Sequence, residues 1–256
     1  MIFHTLGEYE EGRKVIMLLH GEFMPWQLWE DIAIHFADKY FVVVPELDGH
    51  TQNKESTFQS VEDEALKIKE YAAEKLNGKI DILCGMAMGG RIAATLAGMP
   101  KMSVDYLILD SVHMQKIPAL LLGVMRMNYR NLVKGSKNRD GKVLASCAKD
   151  FLPDRYLGEY LQMMDLIKEN SVNNISDSVF SDFYYQAYSQ KLNILFMHGT
   201  KGNESISKKC AQKMKEINPQ TEIRCFDGYG QSQMLIFESA KWIQEVESFI
   251  EGHTSS

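Results

Sequence analysis

The stretch "CGMAMGG", Cys84–Gly90, decides how the rest of the chain is read. An apolar strand pattern, "KIDIL" (Lys79–Leu83), precedes it and a helical pattern, "RIAATLAGM" (Arg91–Met99), follows it. A strand–turn–helix with glycines two residues either side of its turn residue has the form of a nucleophile elbow, Gly-x-Ser-x-Gly. Gly85 and Gly89 occupy the two glycine positions, with Gly90 beside them, and the serine position holds Ala87. A methyl group can neither attack a carbonyl nor be acylated. The pattern has the shape of a reactive turn without the reactive atom.

Outward from the turn, strands and helices alternate. "KVIMLLHG" (Lys14–Gly21) is a continuous apolar run closed by glycine, the form of a strand buried on both faces. "YFVVVPELDGH" (Tyr40–His50) repeats it, with Pro45 expected to stop the strand. Between them, Leu28, Ile32 and Phe36 have helical spacing. Ser60, followed three residues later by Asp63, caps a further helix, and "VDYLILDSV" (Val104–Val112) reads as another buried strand. Such alternation predicts right-handed crossovers and a mostly parallel sheet. The rhythm breaks after Pro118: from Leu120 to about Gln190 the chain reads as helices without a strand, interrupted by a polar hinge at Val133–Lys142. It returns with "LNILFMHG" (Leu192–Gly199), "TEIRCFDG" (Thr221–Gly228) and a last helix, "ESAKWIQEVESFI" (Glu238–Ile250). No internal repeat or low-complexity tract occurs.

Composition narrows the classes of function. The 256 residues are 45% hydrophobic and 24% charged, enough to build a sizeable core. A formal charge of −6 with no basic block excludes nucleic acid or an anionic membrane as the main partner. Cys84, Cys147, Cys210 and Cys225 are widely spaced; Cys84 and Cys225 fall in strand patterns and are expected to be buried free thiols. That usage suits a reducing compartment and offers no zinc site. The longest apolar run, Ile117–Met125, is shorter than the ~20 residues a membrane span needs, and no basic-then-apolar leader is present. A soluble, cytoplasmic protein is expected, with no oligomeric state specified.

Taken in order, "LLHG", "VPELDGH", "GMAMGG", "ILDSV", "FMHGTKGNE" and "GYGQSQ" span nearly the whole chain. The sequence resembles the α/β-hydrolase superfamily, and within it small bacterial esterase- or lipase-like members with a helical lid, here with a degenerate catalytic triad. The resemblance implies an α/β fold, a mostly parallel central sheet flanked by helices, and a helical cap inserted after the sixth strand. It divides the chain into an α/β core (1–115), a cap (116–190), a second part of the core (191–251) and a disordered tail (252–256).

The resemblance also implies where the catalytic groups belong. Ala87 is the nucleophile position. The oxyanion hole takes the Met88 N–H and a second N–H from the loop "HGEFMPW", that of Glu22 or Phe23, while His20 and Gly21 shape the loop. The base position in "DGYGQSQML" is Gln231, which has no proton to exchange near neutral pH. The acid position is Gly202 by spacing, or Glu204 two residues on, with Asp110 an alternative seat. His20, Gly21, Met86, His113, Leu121 and Met125 are the expected pocket, with Met86 and Met88 giving it a soft wall.

Two readings follow. One is an ester or acyl hydrolase of serine-hydrolase type that is inactive in this form. The other is a pseudoenzyme that binds a small apolar or acyl ligand, or a protein partner, beneath the cap. No cofactor or metal is expected: "GMAMGG" lacks the Lys-Ser/Thr of a phosphate loop, and no His/Asp/Glu cluster can be assembled.

Overall fold

The apolar runs become strands of one sheet. The computed structural model describes residues 1–10, 12–53 and 55–254. Its strands are β1 (Ile2–Leu6), β2 (Val15–Leu19), β3 (Phe41–Glu46), β4 (Lys79–Met86), β5 (Ser103–Asp110), β6 (Asn193–His198) and β7 (Thr221–Cys225), in the spatial order β1-β3-β2-β4-β5-β6-β7. β1 lies antiparallel on β3, and every other pairing is parallel. Every residue of β2 is buried, as expected of a strand covered on both faces. The helices α1 (Glu30–Ala37), α2 (Val61–Lys75), α3 (Met88–Ala97), α8 (Glu204–Ile217), α9 (Gln233–Phe237) and α10 (Ser239–Thr254) fill the connections. Ser60 caps α2 by accepting from the Asp63 N–H at 3.0 Å.

Four details differ from expectation. Only β1 precedes β2, so the helical segment follows the fifth of seven strands and not the sixth. Pro45 lies inside β3, opposite Phe3 of β1 and beyond Val43, the last residue that β2 pairs, so its missing N–H breaks no parallel ladder. Cys225 is exposed at the end of the edge strand β7. The stretch expected as a tail from 252 continues α10 to Thr254, and 255–256 lie outside the described residues.

Between β5 and β6 run α4 (Ala119–Lys137), α5 (Gly141–Asp150), α6 (Leu157–Leu166) and α7 (Glu169–Val179). The polar hinge is real but short: Arg139 turns at φ 56°, and Asp140 caps α5 by accepting from Lys142 and Val143. One buried side chain ties this segment to the sheet. Arg91 of α3 donates to the carbonyls of His113, Val179, Ser181 and Asp182 and to the Ser181 hydroxyl. A second tie runs from α7 to the loop before α2, where Asn174 donates to the Phe58 carbonyl at 2.9 Å. No helix among the described residues is long and apolar enough to cross a membrane.

The turn from β4 to α3 has the conformation its glycines allow. Ala87 sits at φ 48°, ψ −119°. A side chain on Gly89 would lie 2.3 Å from the Leu19 carbonyl oxygen, and one on Gly85 would lie 2.4 Å from the Gly89 carbonyl oxygen. Backbone cannot give way there as a flexible side chain would. Gly89→Ala is therefore expected to cost about 4 kcal/mol or more, enough to lose the folded protein. Gly123, exposed inside α4 with nothing within 4 Å of an added Cβ, is the opposite case. Gly123→Ala is expected to stabilise by about 0.8–1 kcal/mol. Thermal melts of the two variants against the parent read both signs.

Candidate functional site

The elbow points its N–H groups at one carboxyl. Met88 is the first residue of α3, so its N–H has no partner within the helix. It donates to Glu22 Oε2 at 3.1 Å. The backbone N–H of Glu22 is turned to the same carboxyl. These are the two donors expected of an oxyanion hole, and their acceptor is a side chain of the chain itself. The Tyr129 hydroxyl of α4 donates to the other oxygen, Oε1, at 3.0 Å. Burial pushes the Glu22 pKa up, against the pull of these donors.

Phe23 is not a second donor. Its N–H is given to His50 Nε2 at 3.0 Å, deep in the protein. His50 in turn donates from Nδ1 to the Asp48 carbonyl at 3.1 Å. His20 is built the same way: Nδ1 donates to the Gly21 carbonyl at 2.9 Å and Nε2 accepts from the Leu47 N–H at 3.1 Å. The rings of His20 and His50 meet edge to face at 5.0 Å. Both histidines are struts that bind the loop after β2 to the loop after β3. Burial lowers the pKa of His20 to about 3 and of His50 to about 4.

A cavity of about 350 Å³ opens beside this carboxyl, and Glu22, Phe23, His113, Leu121, Met125 and Gln231 all line it. The loop after β7 and the helix α4 therefore reach one space, as the spacing of the motifs required. His20, Gly21, Met86 and Met88 do not line it. Met86 is a sheet residue, paired with Asp110 of β5, and Met88 is wholly buried, so the soft wall comes instead from Met24 and Met125. Gly21 faces the elbow: a Cβ there would stand 3.2 Å from the Ala87 methyl. Ala87 itself is buried and anchored by its N–H to the Asp110 carbonyl at 3.0 Å.

The two acid positions have separated. Gly202 is exposed at φ 62° and borders the adjoining outer cleft with Lys201 and Gln231. Glu204 begins α8 and is fully buried, accepting from the Gly199 N–H at 2.7 Å and the Ser111 hydroxyl at 3.0 Å. Ser111 in turn accepts from the Ser232 N–H at 2.9 Å. Glu204 thus holds the backbone beside Gln231 through a serine and does not orient a base. Burial raises its pKa. Asp110 accepts from the Trp242 indole at 2.9 Å, and burial lifts its pKa to about 6.

Sequence reasoning missed three participants. Tyr129 lies far along the chain, and no local pattern connects it to Glu22. His50 was legible only as the end of "LDGH". The Glu22 side chain carried a signal, an acid directly after "HG" in a loop whose backbone was expected to receive negative charge. Elsewhere, the carboxylate oxygens of Asp48, Asp63 and Glu64 approach within 4.8 Å of one another, and the Lys67 ammonium bonds all three residues. A cation of the chain's own fills that cluster.

Residues 14–229 match the family described as alpha/beta hydrolase fold. Solved structures of similar fold include MenH from S. aureus, 16% identical, with TM-score 0.74 and 98% of each chain covered. A thermophilic esterase from Thermogutta terrifontis is 17% identical, with TM-score 0.72, covering 98% of this chain and 93% of that one. A structure from work on carboxylesterases of the thaumarchaeon Nitrososphaera gargenis is 14% identical, with TM-score 0.74, covering 99% and 95%. At these identities the likeness is one of fold. No curated protein matches the sequence.

The neutral histidines make stability depend on pH. His20, His50 and His113 stay unprotonated in the fold down to about 3, 4 and 4, while the unfolded chain protonates them below 6.5. Their contribution is complete above pH 6.5 and is lost as the pH falls towards 4. Asp110 and Glu64, raised to about 6 and about 7, act in the opposite sense, favouring the fold at low pH and weakening it as pH rises. Glu22 and Glu204, also raised by burial, act in the same sense as those two carboxyls, so the histidines' own share is a fall in stability as the pH drops from 6.5 towards 4. His50→Gln keeps an acceptor for Phe23 and is expected to flatten that slope by about 1.4 kcal/mol per pH unit, the effect of one proton. Thermal melts of parent and variant across the range measure it.

Proposed function

The chain belongs to the alpha/beta-hydrolase-fold family, and on that premise we propose that it is a ligand-binding member. In this reading it holds a small, mainly apolar molecule in the cavity beside α4 and hydrolyses no ester through a serine triad. The observation that carries the proposal is the Glu22 carboxyl bonded to the Met88 N–H, where the oxygen of a bound acyl group would have to sit. Ala87 in the nucleophile position, Gln231 in the base position and Glu204 committed to Ser111 and Gly199 support it further. The cavity, about 350 Å³ and walled mainly by apolar and aromatic side chains, is of the size that small ligands occupy. Residues 116–190 act as its cap, contributing Leu121, Met125 and Tyr129, over a core formed by 1–115 and 191–251. The four free cysteines fit a reducing cytoplasm.

A second reading, an ester hydrolase, is favoured by one observation: the strained elbow conformation of Ala87 is retained. Fold alone does not decide between them. Hydrolysis of a short series of p-nitrophenyl acyl esters does. No turnover above background is expected from the parent, from Ala87→Ser, or from Ala87→Ser with Gln231→His, because Glu22 still fills the hole. Adding Glu22→Ala to the double variant is expected to release acyl-enzyme chemistry. Turnover by the parent chain would refute the binding reading, and turnover by Ala87→Ser alone would show that the carboxyl leaves the hole readily.

A further inference from the structure

A hydrolase cavity ordinarily presents donors to a carbonyl oxygen. Here every donor at the elbow is already taken. Met88 N–H and the N–H of Glu22 meet the Glu22 carboxyl, and Tyr129 donates to it from the other side. What remains for a ligand at the carboxyl is acceptor capacity. A carboxylate has about four lone-pair sites, and those three donors leave room for one more.

The rest of the wall agrees. Among the described residues, Glu22 is the one acidic side chain lining the cavity, and no lysine or arginine lines it; the amides of Asn203 and Gln231 are further neutral polar groups on the wall. Arg91, the cation whose charge acts on Glu22, donates from its two terminal nitrogens to backbone carbonyls and Ser181. His113 lines the cavity too, and its Nε2 is buried with no partner. The Asn203 carbonyl bonds the ring, which assigns the proton to Nδ1 and leaves Nε2 a free acceptor. Phe23 and Tyr129 meet edge to face at 4.8 Å, and Phe180 lies 5.8 Å from Tyr129, so the hydroxyl that meets the carboxyl belongs to an aromatic cluster on the cavity wall. Such faces attract cations and give nothing to an anion.

Resting on the reading of the cavity as a ligand site, we infer that Glu22 has inverted the polarity of the oxyanion hole, so that the ligand is an apolar molecule with a primary ammonium head. A ligand carboxylate would meet the Glu22 carboxyl, with only the neutral amides of Asn203 and Gln231 left to donate to it. A ligand carbonyl would have to displace the Glu22 side chain from three hydrogen bonds. An ammonium supplies the missing donor directly and favours the ionised form of the one acid on the wall.

The test is titration calorimetry at pH 7 with three probes of equal chain length: n-octylamine, n-octanol and n-octanoate. The parent chain is expected to bind the amine at least tenfold more tightly than the alcohol, and the alcohol more tightly than the carboxylate. Glu22→Gln is expected to bring amine binding down to the level of the alcohol, which separates the site from general attraction to an acidic protein. Glu22→Ala, which frees the Met88 N–H, is expected to move the preference to octanoate. Tyr129→Phe keeps the carboxyl and should keep the amine preference. Equal binding of amine and carboxylate by the parent overturns the inference while leaving the cavity a ligand site. An amine preference that survives Glu22→Gln overturns it as well. Binding of none of the three probes overturns the reading of the cavity itself. The comparison among probes on the parent chain stands even if a Glu22 variant fails to fold.

Discussion

The first turn of α3 rests directly on the backbone at the end of β2. Gly89 has the Leu19 and His20 carbonyl oxygens where its side chain would be, at 2.3 and 2.5 Å. This approach brings the sharp turn of Ala87 against the loop after β2 and holds a non-glycine residue at φ 48°. A backbone so placed costs on the order of 1–3 kcal/mol and persists only where its surroundings over-determine it. The sheet does so here, through the Ala87 N–H on the Asp110 carbonyl. The same contact leaves the Met88 N–H, at the positive end of a helix, facing a loop and not solvent.

An orphan donor in that position needs an acceptor, and its identity sets the character of the site. In an enzyme it is the substrate during turnover. Here it is Glu22, two residues past His20 on the loop the elbow presses against. A carboxyl buried without partners would be costly. Glu22 has three donors aimed at it, so most of that cost is offset by charge-assisted hydrogen bonds. The arrangement is self-contained: one side chain replaces the anion that the backbone geometry favours.

The surrounding polar groups hold positions. His20 and His50 are wedged between two loops with both ring nitrogens used, so burial keeps them neutral. His50 takes the Phe23 N–H, which leaves Glu22 and the Met88 N–H facing each other. Glu204 and Ser111 fix the loop that carries Gln231, and Arg91 fixes the start and end of the helical segment that carries Tyr129. The backbone shape of the elbow and its loops is held by residues whose work is structural.

The fold was legible in the sequence because its determinants are local. Buried strands need continuous apolar runs, α2 needs its capping Ser60, and the elbow needs Gly85 and Gly89 where side chains would strike backbone. Ala87 at the elbow and Gln231 in the loop after β7 were legible for the same reason, each as a single residue at a motif position. The acceptor of the Met88 N–H was not. Glu22 stood in the sequence as one of several residues whose backbone served, and nothing near it announced that Tyr129, 107 residues away, would donate to its side chain. Nor did any local pattern take Phe23 out of the hole, since its partner His50 comes from the loop after another strand. Hydrogen bonds between side chains on separate elements have no period and no spacing. They exist only once the sheet, the elbow and α4 have brought those groups within about 3 Å of each other.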